Sequence, residues 1–121
     1  MASSSRNSDR RAATRFILLT VGWLVCAFFW ASVCSFDIAD PPSASVWPHN
    51  TPPENLCGTV GAIVAHASYL YFGWGVFPML VMLTVGLAAL SKGAPATDMW
   101  LRLIGLLMIG ASSAAAATML I

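Results

Sequence analysis

Charge is the scarcest thing in this sequence. Its 121 residues include six Lys or Arg and five Asp or Glu, 9% of the chain, against about 25% in an ordinary soluble domain. A formal net charge of +1 leaves no basic surface on which duplex DNA could bind. Three cysteines are too few for a disulfide scaffold. Enzymatic motifs are lacking too: no G-x-x-x-x-G-K-[ST] occurs, and Ser91, Lys92, Gly93 is not a version of it, because no glycine-rich loop precedes the lysine. Neither a Ser-His-Asp arrangement nor a zinc-ligand spacing is present. The chain is also too short for a Rossmann or phosphate-loop enzyme together with membrane segments. No catalytic residue, metal or cofactor is expected, and this chain alone should not hydrolyse ATP.

What the chain has in quantity is apolar surface, at 58% of residues and a mean hydropathy of +0.75. So small a soluble domain could not hide it, so lipid is the solvent for most of the chain. The few charges divide it. Residues 1–15 carry Arg6, Arg10, Arg11 and Arg15 with a single acid, Asp9, and read as a disordered basic tail. Residues 16–36 are uncharged and would make a helix of roughly 31 Å, close to the hydrocarbon thickness. This is the first transmembrane helix. A cleaved signal peptide is the rival reading, but its apolar core should be about 7 to 15 residues with a small-residue cleavage site.

Residues 37–57 hold Asp37, Asp40, Glu54 and five of the seven prolines, with no Lys or Arg, and form an aqueous, proline-rich loop. The arginines before the first helix and their absence from this loop place the N-terminus in the cytoplasm and the loop outside. Trp47 should touch the membrane interface there. Residues 58–90 are again uncharged, and one straight helix of that length would reach about 50 Å. It must tilt, break or fold back, and Gly73, Gly75 and Pro78 mark the break, near residues 72–78. A single net crossing with a broken or interfacial part is favoured by Lys92 and Arg102, which suit a cytoplasmic loop at 91–99. Residues 100–121 form the last helix. The expected fold is all-α, a multi-pass membrane protein of three spans with the second long and broken; four short spans are the alternative.

Gly58, Gly61, Ala62 and Ala65 recur at spacings of three and four, which puts them on one helical face where another backbone can approach closely. Packing within the chain and packing between subunits both fit this face. The same choice applies to the small residues from Gly110 to Ala117. His66 is the only ionisable side chain well inside a span, hence a candidate polar site by default. No Asp, Glu or Lys shares its helix, and a hydrogen bond to Ser68, Tyr69 or a neighbouring helix is expected. Cys34 and Cys57 flank the outer loop, so a bridge is conceivable, with two unpaired thiols as the alternative.

The stretch from Asn55 through Cys57, Gly58, Gly61, Ala62 and Ala65, and on through Phe72, Gly73 and Pro78 to Gly86, resembles the N-terminal four-transmembrane region of the FtsK/SpoIIIE DNA translocases. That family opens on N-x-x-G-x-x-G-A-x-x-A, then has an F-G pair, a proline and an apolar run. Arg102 to Gly105 resembles the R-x-x-G start of its following span. Two positions depart: His66 stands where the family usually has an acid, and Pro78 follows the F-G pair more closely. The fourth span and the motor with its phosphate loop are missing, so the chain reads as an N-terminal fragment, a truncated gene or a stand-alone relative. The resemblance implies a membrane anchor in the bacterial plasma membrane, acting in cell division and chromosome segregation. Its implied partners are the membrane, further copies through helix packing, and divisome proteins, with DNA reached only through a motor this chain lacks. Gly58, Gly61, Ala62 and Ala65 would then serve helix contact, and Gly73, Gly75 and Pro78 the break. The competing reading is a small subunit of a transporter or respiratory complex with His66 at a cofactor or proton path.

Overall fold

The computed structural model describes residues 2–93 and 98–120. Helix α1 spans Ala2–Cys34, α2 Gly58–Phe72, α3 Val76–Ser91 and α4 Met99–Met119, with one 3-10 turn, Gly73–Gly75, joining α2 to α3. The described residues contain no strand. Two stretches are long and apolar enough to cross a membrane, Ser3–Cys34 and Gly58–Ser91, and Leu101–Ser113 is a shorter apolar helix. The protein is an all-helical membrane bundle.

The basic segment corrects the expectation of a disordered tail, because α1 is helical from Ala2. No Gly or Pro interrupts residues 2–15, and Ala and Arg are among the better helix formers. Once residues 16–34 are helical, each further residue adds a hydrogen bond without a new nucleation step. Repulsion within the pairs Arg6/Arg10 and Arg11/Arg15 opposes this by only a few tenths of a kcal/mol. Helix α1 has 33 residues, about 50 Å, so roughly 20 Å of it extends beyond a 30 Å hydrocarbon layer.

The long uncharged run breaks at Gly73, whose φ of 54° and ψ of −135° suit a residue without Cβ. Its N–H still reaches the carbonyl of Tyr69. Gly75 is buried in the turn. Pro78 is not where the chain bends. It lies in the first turn of α3, where a missing N–H leaves no intrahelical bond unmade.

Contacts along α1 show how the two halves are laid out. Those to α2 fall between Phe28 and Phe36: Cys57 Sγ donates to the Phe28 carbonyl, Ser32 Oγ to the Gly61 carbonyl and Tyr69 OH to the Val33 carbonyl. The Tyr69 ring also lies 4.5 Å from that of Phe36. Helix α3 runs the other way along α1. It starts at Val76 and Leu80, which form a core with Val33, passes Thr84 beside Cys26 and Trp30, and ends with Leu90 at Arg15 and Ser91 at Trp23. Residues 58–91 therefore travel once from the Ser32 end of α1 to the Arg15 end. Helix α4 packs on α3 and on the 3-10 turn, and the Met79 side chain sits 2.9 Å from where a Cβ on Gly110 would stand.

Many helix hydroxyls turn back onto their own backbone. Thr20, Ser68, Thr84 and Ser91 each donate to the carbonyl four residues earlier, while Ser113 and Thr118 donate three residues back. No buried side-chain N or O among the described residues lacks a partner. That satisfaction is required where no water reaches. Outward, large apolar side chains stand exposed along α1 and α4, Phe16, Leu24, Leu101 and Met108 among them, as lipid contact demands.

Candidate functional site

The buried polar residues of the described chain are four, and all lie at one end of the bundle: Ser32, Asp40, Ser43 and Asn55. Asp40 comes from the proline-rich loop and is 3% exposed. Its Oδ1 accepts from the Asn50 side-chain amide at 2.9 Å and the Glu54 N–H at 2.9 Å, and its Oδ2 accepts from the Asn55 N–H at 3.0 Å. One carboxylate thus gathers both ends of the loop. The folding of this segment is local and turn-like: the Asp37 carboxylate takes the Ala39 N–H, and the Ser43 hydroxyl takes the Ser45 N–H, in the manner of Asx and Ser turns. The His49 ring bonds the Ser43 carbonyl and meets the Trp47 ring edge-on at 5.2 Å.

Asn55 then ties the loop to the helices. Its Nδ2 donates to the carbonyls of Ser32 at 2.8 Å and Ser35 at 3.3 Å, while its Oδ1 accepts the Cys57 N–H at 3.0 Å. The Ser35 hydroxyl accepts the Leu56 N–H. These bonds cap the last open carbonyls of α1 and set the start of α2. Gly58 has φ +66°, a turn geometry that favours glycine. Gly61 leaves the space that Asn55 fills: a Cβ there would collide with the Asn55 Oδ1 and the Cys57 Cβ.

The sequence-derived packing residues are distributed over two roles. Gly61, Ala62 and Ala65 are buried on one side of α2, whereas Gly58 is half-buried and shapes the turn. Gly73 and Gly75 form the break, with Pro78 beyond it. His66 is half-buried, and the expected bonds to it are absent: Ser68 donates to Val64 and Tyr69 to Val33. Both hydroxyls prefer carbonyls within their reach, so His66 has no polar partner among the described residues. The three cysteines are free, with Cys34 exposed and Cys26 buried. Trp47 is 83% exposed at the loop's tip.

Sequence reasoning missed Asp40, Asn50, Ser32 and Ser35. Asn55 was visible only as the first letter of the family opening. A lone acid among prolines looks like any solvated loop residue, and nothing local distinguishes Asp40 from Asp37. A second seam, between α1 and α3, was also missed. Trp30 Nε1 donates to Thr84 Oγ1 at 2.9 Å, Trp23 Nε1 to Ser91 Oγ at 3.0 Å, and Arg15 Nη2 to the Leu90 carbonyl at 2.7 Å. The last is a cation on a helix C-terminus, where the dipole favours it.

Burial alone would raise the Asp40 pKa, but the bonds from Asn50, Glu54 and Asn55 outweigh it and hold the carboxyl below its ordinary value of 3.8. A pKa depressed by folding means that the ionised carboxylate stabilises the closed loop above pH 3.8. That contribution is lost as the pH falls below this value through the depressed one. The side-chain carbon resonance of Asp40 is expected to titrate with a midpoint below 3.8; a midpoint at or above it would show that the three bonds do not form.

A bundle of apolar helices whose buried polar residues, among those described, fix its own loop and helix ends belongs to the class of helical membrane domains. Over residues 11–121 the sequence matches the family described as the 4TM region of DNA translocase FtsK/SpoIIIE, and the chain belongs to that family. No curated protein and no solved structure matches it.

Proposed function

We propose that this chain is the membrane anchor of an FtsK/SpoIIIE-type DNA translocase that acts in cell division and chromosome segregation, and that it contributes no ATP hydrolysis of its own. The family match across residues 11–121 carries the reading. The bundle supports it, since its buried polar residues are committed to joining loop and helices. The membrane is the bacterial plasma membrane, with the arginine-bearing end of α1 in the cytoplasm and residues 37–57 outside, in keeping with the distribution of Lys and Arg. Further copies of the chain pack against the outward faces of α1 and α4, and division proteins meet the outer loop. DNA is handled by a motor beyond this chain. The reading built on His66 finds no such support. A haem or proton path needs a second ligand or an acid beside the imidazole, and no hydrogen bond or ion pair joins His66 to one among the described residues.

A fluorescent protein fused ahead of Met1 and expressed in dividing bacteria tests both parts. Fluorescence concentrated in a band at midcell is expected. Even labelling of the whole envelope would count against the division role, and full-length but dark fusion in the membrane fraction would reverse the orientation, since such proteins fail to mature outside.

A further inference from the structure

We propose that the groove between α3 and α4 is a binding site for an anionic phospholipid. The cleft has a volume of about 330 Å³ and is lined by apolar groups, among them Met82, Val85, Gly86, Leu87, Leu103 and Leu106, with Arg102 as the one charged side chain on its wall among the described residues. From Met82 to Leu90 it follows α3 for about 12 Å. A groove of that length, open along one side and lined by apolar side chains, suits an acyl chain laid along α3.

The charge around the cleft selects the headgroup. Leu90 closes one end of the wall, and its carbonyl takes the guanidinium of Arg15. Lys92 follows two residues later, exposed. Arg15, Lys92 and Arg102 thus stand at the same end of the groove. The acid nearest in sequence is Asp98, exposed one turn before Arg102, and neither Arg102 nor Lys92 has an ion-pair partner among the described residues. A cation on the wall of an apolar groove calls for an anion at the depth of the lipid phosphate. A guanidinium also offers a paired-donor geometry to phosphate oxygens. The apolar wall holds the chain of such a lipid and Arg102 its phosphate, with Lys92 adding to the local field. The inference rests on the membrane setting alone, so it stands or falls separately from the division role.

The test is native mass spectrometry of the full chain in detergent, titrated separately with phosphatidylglycerol and phosphatidylcholine of the same acyl chains. One retained phosphatidylglycerol per chain is expected, at about tenfold preference over phosphatidylcholine, given the pull of two or three cations on one phosphate. Arg102→Gln should bring the two lipids to near-equal retention. Gly86→Leu should lower the retention of both, because no atom lies within 4 Å of a Cβ at Gly86 and the new side chain fills the cleft. Circular dichroism checks that the helices persist, and Leu103→Trp fills the cleft from α4 if Gly86→Leu does not fold. Equal retention of the two lipids by the unaltered chain overturns the proposal, as does selectivity that survives Arg102→Gln. Displacement of the lipid by inorganic phosphate would overturn it by showing a headgroup site without a chain site. Dimers in place of lipid adducts would assign the groove to a second copy.

Discussion

Gly61→Leu is expected to detach α2 from α1 and to cause the largest loss of stability of any single substitution in the bundle. A Cβ at that position meets the Asn55 Oδ1 and the Cys57 Cβ, so the branched side chain cannot be housed by a small rotamer change. Either Asn55 leaves its place or α2 shifts away. If Asn55 leaves, its bonds to the carbonyls of Ser32 and Ser35 and to the Cys57 N–H go with it. If α2 shifts, the Ser32 bond to the Gly61 carbonyl is lost. Overpacking costs about 1–3 kcal/mol and each buried group left without a partner about 1–3 kcal/mol more, so a loss on the order of 4 kcal/mol is reasonable. The thiol of Cys57, held against the Phe28 carbonyl in the intact bundle, becomes free to react. The measurements are the unfolding midpoint in detergent and the rate of maleimide labelling at Cys57 in a background lacking Cys34. A Gly61→Leu protein with unchanged midpoint and labelling would falsify the account of the clasp. On the proposed division role, the same variant should also fail to concentrate at midcell, because the bundle no longer folds as one body.

Asp40→Ala is expected to open the loop of residues 37–57 while leaving the far end of the bundle intact. The substitution removes the acceptor shared by the Asn50 amide and the N–H groups of Glu54 and Asn55. At about 1–3 kcal/mol for each buried donor stranded, and with water able to reach part of the loop, the net cost is about 3 kcal/mol. Amide exchange at Glu54 and Asn55 should accelerate by two orders of magnitude or so, while amides around Thr84 and Leu90, fixed through Trp30 and Arg15, keep their protection. Asp40→Asn supplies one acceptor oxygen and no charge, and should fall between the two. Uniform acceleration along the chain would show that the loop and the α1–α3 seam unfold together.

Much of this architecture could be read from where charge is missing. Two uncharged runs located α1 and the α2–α3 pair, because lipid tolerates few charges, and Gly73 and Gly75 stood out as residues that weaken a helix. The small-residue face was legible for the same local reason: Gly61, Ala62 and Ala65 fall on one side of any helix drawn through them. Two readings failed where a local rule met a stronger neighbour. Arginine-rich residues 2–15 looked disordered, yet they continue a helix already nucleated downstream. Pro78 looked like part of the break, but the chain turns at Gly73–Gly75, which left the proline in the first turn of α3. The clasp was illegible. Asp40 and Asn55 are 15 residues apart, and their partnership depends on how the prolines fold the loop back over the end of α1. Pattern reasoning sees periodicity within an element and not a closure between elements. His66 shows the reverse limit: a conspicuous residue type in a span, for which the fold provides no partner.

Because α1 is unbroken from Ala2 to Cys34, the arginines at its start have a fixed compass bearing on the rest of the molecule. Successive residues turn by 100°, so Arg6, Arg10, Arg11 and Arg15 occupy about half of the helix circumference, and the contact from Arg15 to Leu90 keys that half to one flank of the bundle. One residue inserted at the membrane boundary would swing the three outer arginines by about 100°, and seven would return them to within about 20° of their first heading. The helix is thus a keel as well as a tether: whatever meets these arginines beyond the membrane meets them at an azimuth set inside it.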